Sequence, residues 1–185
     1  MKKLLFLHTF IVITMLGYTQ SSTIFPGLSE SQKQQLLNTK IAVPLPTWIP
    51  HGFSVTKVVT KTGRSIRIEN RILTIVYGRK SGNGSALEFT IDAGFDGIGS
   101  LDYEGETVKS KAGNITLYYE PYEDIGDNKK VKQWGLIQTE WFDIKNLAFN
   151  VNFSAQSINE KLNRTKPKIS KTEAKKILQS MHVLK

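Results

Sequence analysis

The chain has no cysteine among its 185 residues. That absence excludes disulfides, thiolate metal sites, cysteine nucleophiles and iron–sulfur clusters together. Histidine is scarce, three in all. His8 lies in the apolar start of the chain, which leaves His51 and His182, and neither has a second His or Cys at metal-ligand spacing. No metal and no cofactor is expected from this set. The patterns H-E-x-x-H, G-x-S-x-G, the phosphate-binding loop and G-x-G-x-x-G are all missing. Long apolar runs are missing too: the longest, Leu4 to Leu16, has 13 residues, short of the ~20 that cross a bilayer as a helix.

That run is nonetheless informative. Lys2 and Lys3 precede it and the short polar stretch Gly17 to Ser22 follows it, the three-zone layout of a secretory signal peptide. The expectation is a leader over residues 1–21 and a single domain over 22–185, exported to the periplasm or secreted. Two cleavage points compete, after Thr19 or after Gln20. Tyr18 stands where a lipoprotein leader would carry its lipidated cysteine.

Charge is unevenly placed. The chain carries a net +9, yet residues 28–87 hold nine basic against two acidic side chains and residues 88–127 hold two against ten. Residues 161–185 return to eight against one. A basic tail and an acidic middle bear on encounter rates and on contacts within the molecule rather than on fold.

Ser29 followed by Gln32 makes a capping box for a helix over Glu30 to Asn38. Pro44, Pro46 and Pro50 predict an extended, irregular approach, with Trp48 and Ile49 pinned at the core edge. Period-two alternation then predicts strands over Phe53–Thr60, Ser65–Ile68, Ile72–Arg79, Ala86–Asp92 and Ile115–Glu120. A last hairpin, Gln133–Phe142 and Leu147–Ser154, turns at Lys145-Asn146. Residues 93–113 read as a Gly-rich acidic loop with a short strand near Val108. Ser170 with Glu173 forms a second capping box, and Ala174, Ile177, Leu178 and Met181 form a helical apolar stripe. The fold class is α+β: an antiparallel, meander-like sheet of about seven strands with an N-terminal and a C-terminal helix packed on one face.

The pattern Leu45-Pro-x-x-Ile-Pro-x-Gly-Phe53, the segments Gly113–Tyr119 and Trp134–Phe153, and Ser170-x-x-Glu-Ala-x-x-Ile-Leu-x-Ser180 together resemble a known type of domain. It is an exported bacterial domain of unknown function found in lipoproteins and in anti-sigma-factor-like proteins. The resemblance spans about residues 43–185. It implies an extracytoplasmic location and brings no catalytic residues with it.

Two groups are candidate binding residues. Asp92, Asp96, Asp102 and Glu104 lie among glycines that let backbone oxygens turn inward, an arrangement suited to Ca²⁺. However, Gly94 occupies the third loop position, against the EF-hand rule. Lys166, Lys168, Lys171, Lys175 and Lys176 form a basic tail suited to anionic polymer or lipid. The same tail has an internal alternative, the acidic block 88–127. Tyr118 and Tyr119 are neighbours on one strand and so face opposite ways. Nucleic acid is disfavoured by export and by the lack of a stacking-aromatic motif. Three readings compete. The first is an exported non-enzymatic binding or scaffold protein that holds an unknown protein or envelope component. The others are an extracytoplasmic hydrolase with His51 or His182 near a carboxylate, and a peripheral binder acting through the basic tail.

Overall fold

The computed structural model describes residues 23–60, 71–80, 86–95, 105–124, 131–153 and 169–184. The expected leader and the expected strand at Ser65–Ile68 lie outside them.

Both helices form where a cap dictates. Ser29 caps α1 (Glu30–Asn38) and Ser170 caps α2 (Lys171–Gln179), each with the full reciprocal box to Gln32 or Glu173. In α2 the side chains of Ala174, Ile177 and Leu178 are buried in the core, and the helix contacts β5 (Gly105–Ser110) and β6 (Gly113–Asp124). α1 contributes Leu36 to the same core.

The remaining strands are β1 (Val43–Pro46), β2 (Ser54–Thr60), β3 (Arg71–Lys80), β4 (Ala86–Gly94), β7 (Val131–Thr139), β8 (Phe142–Ile144), β9 (Leu147–Asn152) and β10 (Met181–Leu184). The large sheet is antiparallel and runs β2-β3-β4-β9-β7-β6-β5, with β8 paired to the outside of this path on β9. A separate two-stranded sheet joins β1 to β10.

This order is more than a meander. β4 is followed in space by β9, and the β5-β6-β7 meander is added beyond it, so the central pairing joins strands far apart in sequence. The apolar face carries Leu73, Ile75 and Tyr77, then Phe89 and Ile91, then Phe149, Val151 and Phe153, all buried. Phe89 is the hub. Its ring stacks on Tyr77 at 4.6 Å and meets Phe53 at 5.8 Å and Phe153 at 5.7 Å.

Several local expectations change. A bulge between Val55 and Lys57 breaks the alternation of β2, so Val55 and Val58 rather than Val55 and Lys57 turn toward the core. The proline segment is strand after all. Pro44 and Pro46 fall at every second position, so Val43 and Leu45 retain the N–H groups for β10. Trp48 is 38% exposed rather than pinned to the core edge. The apolar stripe of α2 ends before Met181, which with His182 belongs to β10. The turn at Lys145-Asn146 forms, with Lys145 at φ 57°, but its first arm is β8, while β7 runs beside β6.

Candidate functional site

The second face of the large sheet is polar, and its residues align in register. One row crosses the strands as Gly105, Tyr118, Gln138, Asn152, Thr90, Val76 and Lys57. Beside it Thr107 pairs with Thr116, and Asn150, Asp92 and Thr74 are cross-strand partners. Gln138, Asn152, Thr90 and Thr74 are half-buried, while Thr107 is exposed. At the usual spacing between neighbouring strands, seven strands give a surface roughly 30 Å wide.

Asp92 lies on this face and is only 3% exposed. Its Oδ1 accepts a hydrogen bond from the Thr74 hydroxyl at 2.6 Å, and its Oδ2 accepts one from Thr90 at 3.1 Å. A buried carboxylate requires such donors. The other members of the expected acidic site, Asp96, Asp102 and Glu104, lie outside the described residues. Among the described residues, no group of three or more His, Asp or Glu side chains is placed to hold a metal ion.

Thr139 and Asn150 are the other buried polar residues among those described, and their positions explain them. Where β7 meets β9, side chains complete the ladder. Asn150 Nδ2 donates to the Thr139 carbonyl at 2.5 Å, and the Val151 N–H donates to Thr139 Oγ1 at 2.9 Å. Next to this junction Tyr118 is 6% exposed. Burial, then the neighbouring Glu140 carboxylate and its hydrogen bond, push the Tyr118 hydroxyl above its ordinary pKa. Gly105 lies under that ring: a Cβ there would collide with Thr116 and with Tyr118 Cε1. Tyr119, its sequence neighbour, turns to the opposite face, half-buried against the core and 5.4 Å from Lys171 Nζ.

The described lysines of the basic tail are engaged within the molecule. Lys175 Nζ donates to Glu106 at 2.6 Å, and Lys171 Nζ is 3.6 Å from the other Glu106 oxygen. The hydrogen bond from Lys175, reinforced by both ammonium charges, holds the Glu106 carboxyl below its ordinary pKa. Lys176 lies over the Trp48 ring at 5.6 Å. The acidic block and the basic tail therefore meet at Glu106, a residue the spacing of carboxylates among glycines did not single out. Lys166 and Lys168 lie outside the described residues. His51 is exposed, and its carbonyl accepts from Arg79 at 3.2 Å, while His182 is cross-strand partner to Leu45.

The exposed large apolar side chains of the described residues are Ile24, Trp48 and Phe95, and none lies within a strand of the large sheet. No helix of the described residues is long and apolar enough to cross a membrane. No family model, no curated protein and no solved structure matches this chain.

Proposed function

We propose that the chain is an exported, non-enzymatic binding or scaffold module of the cell envelope, with α1 and α2 covering the apolar face of the sheet and the opposite face left for a partner. One observation carries the reading: the hydrogen-bonding side chains of Tyr118, Gln138, Asn152 and Thr90 align in register across that face, and the rows reach the sheet edge at Gly105 and Thr107. Hydroxyl and amide groups held on a laddered sheet favour holding a partner over transforming one; the Asp92 carboxylate, which accepts from the Thr74 and Thr90 hydroxyls, is buried at 3% exposure. The leader-like start supplies the location.

The test has two parts. Cell fractionation should place a processed protein outside the cytoplasm. Pull-down of that protein from its own envelope, followed by mass spectrometry, should return the same small set of components repeatedly. A mature chain that stays cytosolic with residues 1–21 intact overturns the location. An empty pull-down overturns the binding role.

A further inference from the structure

The two edges of the large sheet are treated differently. On β2 several outward backbone groups, at Val55 and Val58, are occupied. The Val55 N–H donates to the Gly27 carbonyl at 2.8 Å, the Val55 carbonyl accepts from Gln32 Nε2 at 3.0 Å, and the Val58 carbonyl accepts from Gln35 Nε2 at 3.4 Å. The segment around α1 covers that part of the edge.

β5 forms the other edge, and its hydrogen-bonding direction follows from its hairpin. Ser110 pairs with Gly113 across a two-residue turn, so these two exchange ladder bonds. Alternation then makes Val108 and Glu106 face β6, while Lys109, Thr107 and Gly105 turn N–H and C=O outward. An independent contact agrees. The Thr116 carbonyl, opposite Thr107, accepts from the Glu140 N–H at 2.9 Å, so that pair does not bond across the hairpin. Gly105, Thr107 and Lys109 are exposed, and among the described residues nothing bonds to their outward groups.

An open edge invites a further strand. Its surroundings decide which one. Lys109 and Lys111 are exposed beside the edge, and the one carboxylate on β5, Glu106, is already held by Lys171 and Lys175. A second copy of β5 paired in parallel, or antiparallel about Lys109, would set these lysines against their own copies, which is destabilising; paired antiparallel about Thr107 it would set Lys109 opposite Gly105 and gain no opposite charge. An acidic strand would meet the opposite sign. We propose that β5 is a docking edge for an extended, acidic segment of a partner polypeptide, which adds to the sheet as a further antiparallel or parallel strand. The inference rests on the binding-module reading and gives it a surface and a partner chemistry.

The probe is a soluble peptide alternating Glu with Val, compared with its Lys-for-Glu counterpart and measured by fluorescence anisotropy on the full mature chain. Saturable binding of the acidic peptide, weakened on the order of tenfold or more by the pair Lys109→Glu and Lys111→Glu and by added salt, is expected. Thr107→Pro should abolish binding yet keep the fold by circular dichroism, since the lost N–H points away from β6. Hydrogen exchange on the unsubstituted protein needs no variant: the peptide should protect the Thr107 and Lys109 amides and leave Val108 unchanged.

No binding of the acidic peptide overturns the inference, as does equal binding of both peptides or protection elsewhere on the sheet. A dimer by analytical ultracentrifugation that Thr107→Pro dissolves overturns it in favour of a second copy. If Thr107→Pro retains the same envelope components in the pull-down, the edge is wrong and the binding role stands. If the unsubstituted chain retains none, the binding role itself fails.

Discussion

Tyr77 is buried beside Phe89, and its hydroxyl has no hydrogen-bond partner among the described residues. A polar group left unpaired in a core costs on the order of 1–3 kcal/mol. Tyr77→Phe keeps the stacked ring and removes the orphan, so it should be neutral or stabilising by about 1 kcal/mol in urea denaturation. A loss of more than that would reveal a partner for the hydroxyl. Burial also pushes the Tyr77 pKa upward. A folded-state pKa raised above the unfolded value gives stability that is full below the unfolded pKa, about 10 for Tyr, and is lost as pH rises further. Denaturation midpoints should therefore fall above about pH 10, and Tyr77→Phe should remove that part of the fall. Thr139 is the opposite case. Thr139→Val deletes the hydroxyl that accepts the buried Val151 N–H, so a loss of about 1–3 kcal/mol is expected in the same measurement.

At the level of elements, α2 is held by its cap, its apolar stripe and the lysine clamp on Glu106. The cap is the stronger local lever. Ser170→Ala removes the side chain that accepts the Glu173 N–H and should cost about 0.5–2 kcal/mol by thermal or chemical denaturation. The clamp is exposed and screened, so Glu106→Gln should shift the midpoint little. Its signature lies in pH. A carboxyl held below its ordinary pKa contributes stability above that value and loses it as pH falls through the folded-state pKa. Glu106→Gln should flatten the acid limb of the stability profile by lowering the neutral plateau slightly, leaving stability below the folded-state pKa unchanged.

These elements also show where the sequence was readable. Ser29, Ser170 and Lys145-Asn146 are signals that act over three or four residues, and each produced the predicted cap or turn. The bulge at Val55–Lys57 was hidden, because one extra residue leaves the run looking strand-like while it re-aims everything after it. β1 was hidden by its prolines, whose spacing matters only once β10 is beside them. Asp92 was singled out by its acidic neighbourhood, but the hydroxyls it accepts from come one from β3 and one from two residues back on its own strand. The β5 edge carries no motif at all. Its character depends on β6 on one side and, among the described residues, nothing on the other, which a single strand cannot announce.

Across the whole molecule, the least local feature is the sheet that joins β1 to β10, pairing Val43 with Leu184 and Pro46 with Met181. It is reinforced where Thr47 donates through both its N–H and its hydroxyl to the Ser180 carbonyl, at 3.0 and 2.9 Å. Val43, Leu45, Met181 and Leu184 are all buried in the one core. The chain lacks disulfides, so this pairing is what ties the C-terminal strand to the start of the domain. Ending the chain at Ser180 removes Met181 and Leu184 and uncovers Val43 and Leu45. Full burial of each such side chain is worth about 1.5–3 kcal/mol, against a typical total stability of 5–15 kcal/mol. The truncated chain should therefore lose its cooperative unfolding transition, expose apolar surface to a dye such as ANS, and aggregate. Removing residues 1–21 leaves β1 and β10 both present, and the transition should persist. A Ser180-terminated chain that unfolds cooperatively with an unchanged midpoint would mean the large sheet holds its core without this closure. A pairing formed between such distant segments also carries a high loop-closure cost. Refolding of the intact chain should consequently gain its β1–β10 protection late, as pulsed hydrogen exchange at the Leu45 amide would report.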